Sequence, residues 1–405
     1  MRTQLIPDVV KAGSDQQTTN NMAKKNVLPI AFVHSADFDG MCSAALLDKY
    51  FNGEIEIHPI NYGDKELRSD TAFLDAFDVK GRDVYICDFS LKPNLMKKVI
   101  DLSNQTVWLD HHVSAIKDVL ESSWYQKMLT EATKTGEPIK LAGIQCERED
   151  VPYSGAYLTW AWLFNNCNAG LDITIFQDEE TKKWTRELNI VSIPGEPGLF
   201  TESTPLISQA WIDCPQFIKN IAAYDTFKFE FVKQEEAVVQ QFGMKAIGLN
   251  FDTKDMWKAL LSDTENDELV SYDDISKKQQ LTEMIEKDGR AVLTYNALYQ
   301  YPRINKAAYP IKLKVNGKNL RGLAINVNGY NSEVFEPIYD PEKTDFFIEY
   351  YYNKDHWSYG VYIPADKIDK ISAVDIVRSF DPEKGGGHRG SAGGNSDKLL
   401  KELQQ

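Results

Sequence analysis

Residues 28–40 read Leu-Pro-Ile-Ala-Phe-Val-His-Ser-Ala-Asp-Phe-Asp-Gly. Leu28 to Val33 is a short apolar run of strand length, and it breaks abruptly into a histidine and two aspartates. Met41 to Phe51 follows with the spacing of a helix. Further on, Glu54 to Ile60, Asp83 to Cys87 and Thr106 to Leu109 read as three more strands, with helical segments near 66–77 and 91–102 between them. Strands that alternate with helices build βαβ units, so an α/β fold with a parallel sheet is expected.

Outward from this block the pattern changes. The first 26 residues are polar and carry no period, which predicts a disordered tail. Residues 254–305 are mostly polar and helix-prone, with Leu260, Leu261, Ile275, Leu281, Ile285 and Val292 as spaced apolar positions, and read as a helical connector. Beyond it Ile311 to Val315 and Leu320 to Val327 flank Asn316-Gly317, a strong hairpin signal. Phe346 to Tyr352 and Trp357 to Ile363 add strands, and Ala373 to Phe380 a helix. These make 306–405 a second, smaller mixed α/β domain after a first one at 27–253. Residues 171–210 fit neither pattern and read as a hairpin insertion or a lid.

The 405 residues carry 45 Lys and Arg against 60 Asp and Glu, a formal net charge of −15. That balance argues against a general duplex-DNA coat, which needs a broad basic face, but leaves room for a local site that takes a short anionic substrate. No apolar run approaches the ~18 residues that span a bilayer. No leader-like stretch is visible, and the five cysteines (Cys42, Cys87, Cys146, Cys167, Cys214) show no paired spacing. A cytoplasmic protein with reduced thiols and no membrane partner is expected.

The chemistry gathers at strand ends. The first strand runs into His34, Asp37 and Asp39, the third into Asp88, and the fourth into Asp110-His111-His112. In an open parallel sheet the carboxyl ends of the strands form the ligand crevice, so these residues should converge from three distant places. Asp37 or Asp39 alone reads equally well as a helix cap, and a lone histidine after a strand as a surface residue. Six such residues at three strand ends are harder to explain that way. Carboxylates and imidazoles at this density need a cation among them. The oxygen-rich set suits Mn²⁺ or Mg²⁺ better than zinc. Two such ions would polarise a phosphoryl group. Near the end, Gly385-Gly386-Gly387-His388-Arg389-Gly390 suggests a loop whose backbone N–H groups approach a phosphate, with His388 and Arg389 as further donors.

Together these segments resemble the DHH phosphoesterase superfamily with its DHH-associated C-terminal domain, over about residues 28–396 and most like the oligoribonuclease (nano-RNase) and cyclic-nucleotide branch. His34…Asp37-Phe-Asp39-Gly40 looks like the first motif, Asp88 the second, Asp110-His111-His112 the naming motif, and Asp225 in Ala222-Ala223-Tyr224-Asp225 the fourth. Gly385 to His388 looks like the GGGH signature, and Asn331-Ser332-Glu333 like a short segment of the same domain. The resemblance implies a doubly wound parallel DHH domain, a smaller C-terminal domain and an active-site cleft between them. It implies one Mn²⁺ on His34, Asp37 and Asp88 and a second on Asp39, Asp88, His111 and Asp225, with Asp88 bridging and sharing the attacking hydroxide. Asp110 would orient a ligand histidine, and His112 would face the scissile phosphate. Gly386, Gly387, His388 and Arg389 would hold the far end of the substrate. The His34-to-Asp37 interval is one residue shorter than in the nano-RNase and family II pyrophosphatase versions. Tyr362 stands where the family has an arginine, suggesting base stacking.

The expected activity is a Mn²⁺-dependent phosphodiesterase (an exonuclease on nano-RNA) that hydrolyses short oligonucleotides to mononucleotides. Alternatives within the superfamily are cyclic mono- or dinucleotide cleavage, a 3′,5′-bisphosphate nucleotide phosphatase and a RecJ-type single-strand DNA exonuclease. Outside catalysis the alternative is a nucleotide sensor or sponge. The sequence does not give the oligomeric state, but related proteins are often dimers, and the resemblance allows a homodimer.

Overall fold

The computed structural model describes residues 3–5, 27–135, 139–146, 151–165, 171–177, 184–190, 206–262, 272–330, 332–382 and 385–400. Cys167 and Asn331 lie outside them. The chain divides into two compact units, residues 1–111 with 116–286, and residues 112–115 with 287–405. The division at 287 falls inside the long helix Tyr272–Tyr295, within the stretch read as a connector.

The first unit opens on β1 (Thr3–Leu5), so a paired strand lies within the segment expected to be a tail. Then come β2 (Ile30–His34), β3 (Glu56–Ile60), β4 (Asp83–Cys87), β5 (Gln105–Leu109) and β6 (Leu141–Ala142), all parallel, in spatial order β3-β2-β4-β5-β6. The strand begins at Ile30 rather than Leu28. Leu28 and Pro29 instead give their carbonyls to the buried Arg82, whose guanidinium also meets Glu56 at 2.6 Å. Alternation along β2 sorts the core. Ala31 and Val33 point into one apolar cluster with the helices Phe38–Tyr50, Gly155–Phe164 and Gln216–Thr226. Ile30 and Phe32 point into another with Pro93–Leu102 and Val113–Leu120. Both faces are covered, as a doubly wound sheet requires. Because the chain leaves β2 for β3 and returns past it to β4, the sheet's switch point lies between the carboxyl ends of β2 and β4, where ligands bind in such sheets.

Residues 155–164 form a helix, Gly155–Phe164, whose first nine residues are all buried. It is a core helix; among the described residues no helix is long and apolar enough to cross a membrane. Residues 171–210 include a hairpin, β7 (Leu171–Gln177) and β8 (Trp184–Ile190), and β7 pairs on its other side with β1. The strand pairing answers the hairpin half of the reading.

The second unit is one six-stranded mixed sheet. Its strands are β9 (Tyr309–Val315), β10 (Lys318–Asn326), β11 (Phe346–Asn353), β12 (His356–Tyr362), β13 (Gly386–Gly387) and β14 (Ser391–Ser396), in the order β13-β14-β12-β11-β10-β9. Asn316 and Gly317 both have positive φ, 50° and 78°, which gives the tight primed turn that joins β9 to β10. One face of the sheet packs on the helix Ala373–Arg378 through Ile376 and Val377, the other on Val334 and Phe335.

That second face buries a carboxylate. Glu349 on β11 lies opposite Gly360, where a Cβ would stand 3.1 Å from its side chain. The Tyr362 hydroxyl is 3.0 Å from Oε1 and 3.2 Å from the Tyr330 carbonyl, while Oε2 is buried and accepts no hydrogen bond. Half-buried and turned inward to these groups, Tyr362 does not offer the stacking surface that its position suggested. Burial pushes the Glu349 carboxyl up to about 7, against the pull of the Tyr362 hydroxyl. A raised acid stabilises the fold at low pH and loses that contribution as pH rises through about 7. Thermal melts of Glu349→Gln should therefore match wild type near pH 5 and exceed it at pH 8.5, by about 3 kcal/mol at most. Parallel melting curves across that range would refute the assignment.

Candidate metal centre

Every acidic strand end of the first unit turns toward the same place. His34 is the last residue of β2. Asp37 caps the following helix, its Oδ1 accepting from the Gly40 N–H at 3.1 Å, so the capping reading holds for it. Gly40 packs its backbone on the strand it follows: a Cβ there would lie 2.0 Å from the His34 carbonyl oxygen. Asp39, in the first helical turn, is 1% exposed. Asp88 follows β4 with φ +53°, a left-handed conformation that a non-glycine residue adopts at a cost. Asp110 and His111 follow β5, and Asp225 comes from the last turn of the helix Gln216–Thr226.

Two constellations result, and Asp88 belongs to both. His34 Nδ1 lies 3.3 Å from Asp37 Oδ2 and 3.8 Å from Asp88 Oδ2. His111 Nε2 lies 3.1 Å from Asp88 Oδ1, 3.3 Å from Asp225 Oδ2 and 3.7 Å from Asp39 Oδ2. The shortened interval between His34 and Asp37 therefore does not keep the two apart. Asp110 stands behind this arrangement. Its Oδ1 accepts the backbone N–H of His111 at 2.8 Å, and its other oxygen accepts the Ser90 hydroxyl. It fixes the histidine through the main chain.

A third support was not legible in the sequence. Ser154, Gly155 and Ala156 form the start of the buried helix, and the Ser154 hydroxyl and the Ala156 N–H (3.1 Å) both donate to Asp39 Oδ1. Gly155 lies so close to Asp88 that a Cβ would fall 2.3 Å from the Asp88 Cβ. A Ser just ahead of an apolar helix is a capping signal, yet here its hydroxyl serves a residue 115 positions away.

The electrostatics demand a counter-charge. Burial first, and then the charge of Asp37, pushes Asp39 up to about 6. Burial and the neighbouring aspartates push Asp88 and Asp225 well above the usual carboxylate range. Asp39 Oδ2 is buried and accepts no hydrogen bond. Four carboxylates and two imidazoles, with an oxygen left unsatisfied, are a set that could hold metal ions. The residues fit one ion on His34, Asp37 and Asp88 and another on Asp39, Asp88, His111 and Asp225.

The residues assigned to substrate, Gly386, Gly387, His388 and Arg389, fall in the second unit. The glycine cluster forms β13, its turn and β14, and two of its backbone donors bond main-chain carbonyls. The Gly385 N–H bonds the Asp381 carbonyl at 2.9 Å and the His388 N–H the Ser391 carbonyl at 2.7 Å. The glycines serve close packing: a Cβ at Gly385 or Gly394 would strike Val377, and Gly387 has φ +138°. Gly386 pairs with Gly393. Arg389 donates through Nε to the Ile368 carbonyl at 2.5 Å and through Nη2 to that of Asp369 at 2.8 Å, tying down the turn before Ala373–Arg378. Gly386, Gly387 and Arg389 are thus parts of a hairpin and of the turn it packs on. The His388 ring stacks on that of His112, 5.0 Å between centroids.

No family model matches the chain. Over 104 residues it is 29% identical to an uncharacterized protein, R106, of Acanthamoeba polyphaga mimivirus. That match takes in 24% of this chain, and the chain spans only 24% of the relative's own length. Among solved structures the chain is similar to a pGpG-specific phosphodiesterase, PggH, from Vibrio cholerae, with a TM-score of 0.38 and 10% identity, covering 93% of this chain and 95% of that one. It is also similar to an exopolyphosphatase-related protein from Bacteroides fragilis, with a TM-score of 0.36 and 11% identity over 92% of this chain and 88% of the other. CDC45 from Entamoeba histolytica aligns with a TM-score of 0.38 and 8% identity over 93% and 94% of the two chains.

Proposed function

We propose that this protein is a metal-dependent phosphoesterase that hydrolyses short oligonucleotides, with Mn²⁺ as the working ion. The observation that carries the reading is the position of Asp88, with one oxygen toward His34 and the other toward His111. A carboxylate set between two His–Asp groups is what a pair of divalent cations requires. Bound there, such a pair would polarise a phosphoryl group and generate hydroxide at neutral pH. The chain's own residues hold the arrangement: Asp110 and Ser90 fix the His111 backbone, and Ser154 and Ala156 aim Asp39. His112 follows the ligand histidine and is assigned to the scissile phosphate, where a ring N–H offsets developing charge. His388 is the residue of the second unit assigned to substrate. Arg389, committed to main-chain carbonyls, is not. The net charge of −15 supports a substrate of a few nucleotides over a long strand, which needs a basic track.

The test is chromatography of a 5′-phosphorylated RNA of two to five nucleotides incubated with the full chain and Mn²⁺. Stepwise release of mononucleotides is expected, and EDTA or Asp225→Asn should abolish it. Intact RNA, with cleavage of a cyclic mono- or dinucleotide in parallel reactions, would transfer the activity to that substrate class. Inertness toward all of them would overturn the phosphoesterase reading.

A further inference from the structure

One aromatic residue beside the centre has no part in the arrangement described so far. Tyr62 follows β3, the one long strand of the parallel sheet whose end supplies no metal-ligating side chain, and it is 47% exposed. Its ring stacks on Phe89, centroids 4.5 Å apart at 29°, and lies 5.8 Å from the His34 ring. Its hydroxyl oxygen accepts the backbone N–H of Ser90 at 3.2 Å. Tyr62 thus holds both residues that follow Asp88, one by its ring and the next by its hydroxyl. Two further ties bind the same segment. The Trp108 indole N–H bonds the Phe89 carbonyl at 3.2 Å, and the Ser90 hydroxyl bonds Asp110.

The segment needs this restraint. Asp88 occupies a left-handed conformation that is uncommon for any residue with a Cβ, and such residues persist where their surroundings hold them. Relaxing φ at Asp88 would swing its two oxygens away from His34 and His111 together. We infer that Tyr62 is a positioning residue for the metal centre: its acceptor and its ring clamp residues 89–90 so that Asp88 faces both constellations. The inference rests on the metal-dependent reading above, and it assigns the site's rigidity to the neighbouring strand.

Mn²⁺ binding to the full chain, followed by the EPR signal of the free ion, separates the two ideas. Tyr62→Phe keeps the ring and removes the acceptor, while Tyr62→Ala removes both. Support from behind a ligand is commonly worth about tenfold or more in metal affinity. The expected result is several-fold weaker Mn²⁺ binding in Tyr62→Phe and a larger loss in Tyr62→Ala. In EDTA, Tyr62→Phe should melt with wild type. Hydrolysis by Tyr62→Phe should return to the wild-type rate at saturating Mn²⁺. Wild-type Mn²⁺ affinity in both variants would overturn the positioning role and leave the metal reading intact. A fall in melting temperature that accounts for the affinity loss would overturn it too, by making the effect merely structural. A wild-type chain that binds no Mn²⁺ would overturn both.

Discussion

Asp88→Asn is expected to abolish hydrolysis and, in the same protein stripped of metal, to raise the melting temperature. The two effects have one cause. Asp88 is buried, with Asp39, Asp37, Asp225 and Asp110 as its charged neighbours, and together these push its carboxyl well above the usual range. For a raised acid the stabilising contribution is present at low pH and is lost as pH rises through the folded-state value. Without a cation the wild-type chain gives up that contribution as the pH rises. Asparagine keeps the shape and removes the charge, so the melting temperature in EDTA should rise by several degrees, at roughly 2–4 °C per kcal/mol. The amide is a poor ligand in the one position common to both constellations, and activity should fall by roughly 10³-fold or more, about 4 kcal/mol of lost transition-state stabilisation. Adding Mn²⁺ reverses the order of stability. Wild type gains by binding the ion only when folded, and the variant gains little. Calorimetry with EDTA and with Mn²⁺, alongside the RNA assay, reads all three effects. A variant that melts below wild type in EDTA would show that the carboxylate is stabilised by something other than a cation.

How much of this was legible in the sequence depends on the distance between partners. The strands of the parallel sheet could be read because each is a local apolar run, and their acidic ends because the change of character falls at one residue. Asn316-Gly317 could be read because a two-residue turn is fixed by its own backbone preferences. The same local reading stretched β2 back to Leu28, since nothing near Leu28 reveals that Arg82 takes its carbonyl. It also leaves the packing role of the glycine cluster unseen. A glycine required for close approach looks the same in sequence whether the approaching group is an anion or Val377. The main-chain contacts of Arg389 are silent for a like reason, because a guanidinium near a glycine loop says nothing about the carbonyls of Ile368 and Asp369 until the turn is folded. The structural supports of the site, Ser154, Gly155, Ala156 and Tyr62, were silent, as each acts on a residue from a different strand end.

Gly155→Ala carries that last point to a measurable extreme. The substitution adds one methyl group at the start of a helix, where alanine ordinarily stabilises relative to glycine. Here the new Cβ would lie 2.3 Å from the Asp88 Cβ, 2.7 Å from its Cα and 2.8 Å from its Cγ. Main-chain and side-chain atoms of one residue cannot all give way by a rotamer change. Either the helix retreats from Asp39, stretching the bonds from Ser154 and Ala156, or Asp88 moves from between its two histidines. Overpacking of this kind costs about 1–3 kcal/mol. A displacement of the order of 1 Å in a catalytic array costs roughly 10²-fold in rate. The expected variant is folded, loses several degrees in melting temperature, binds Mn²⁺ more weakly and hydrolyses RNA at about a hundredth of the wild-type rate. Gly63→Ala is the control, since a Cβ there meets nothing within 4 Å although it neighbours Tyr62. It should melt with wild type or slightly above and keep full activity. If Gly155→Ala hydrolysed RNA and bound Mn²⁺ like the Gly63 variant, the close seat of this helix on Asp88 would have no bearing on catalysis. If both variants lost activity equally, the loss would belong to replacing glycine near the site at all. The contrast between them ties the rate to one contact, between a helix whose first nine residues are buried and an aspartate held in a left-handed turn.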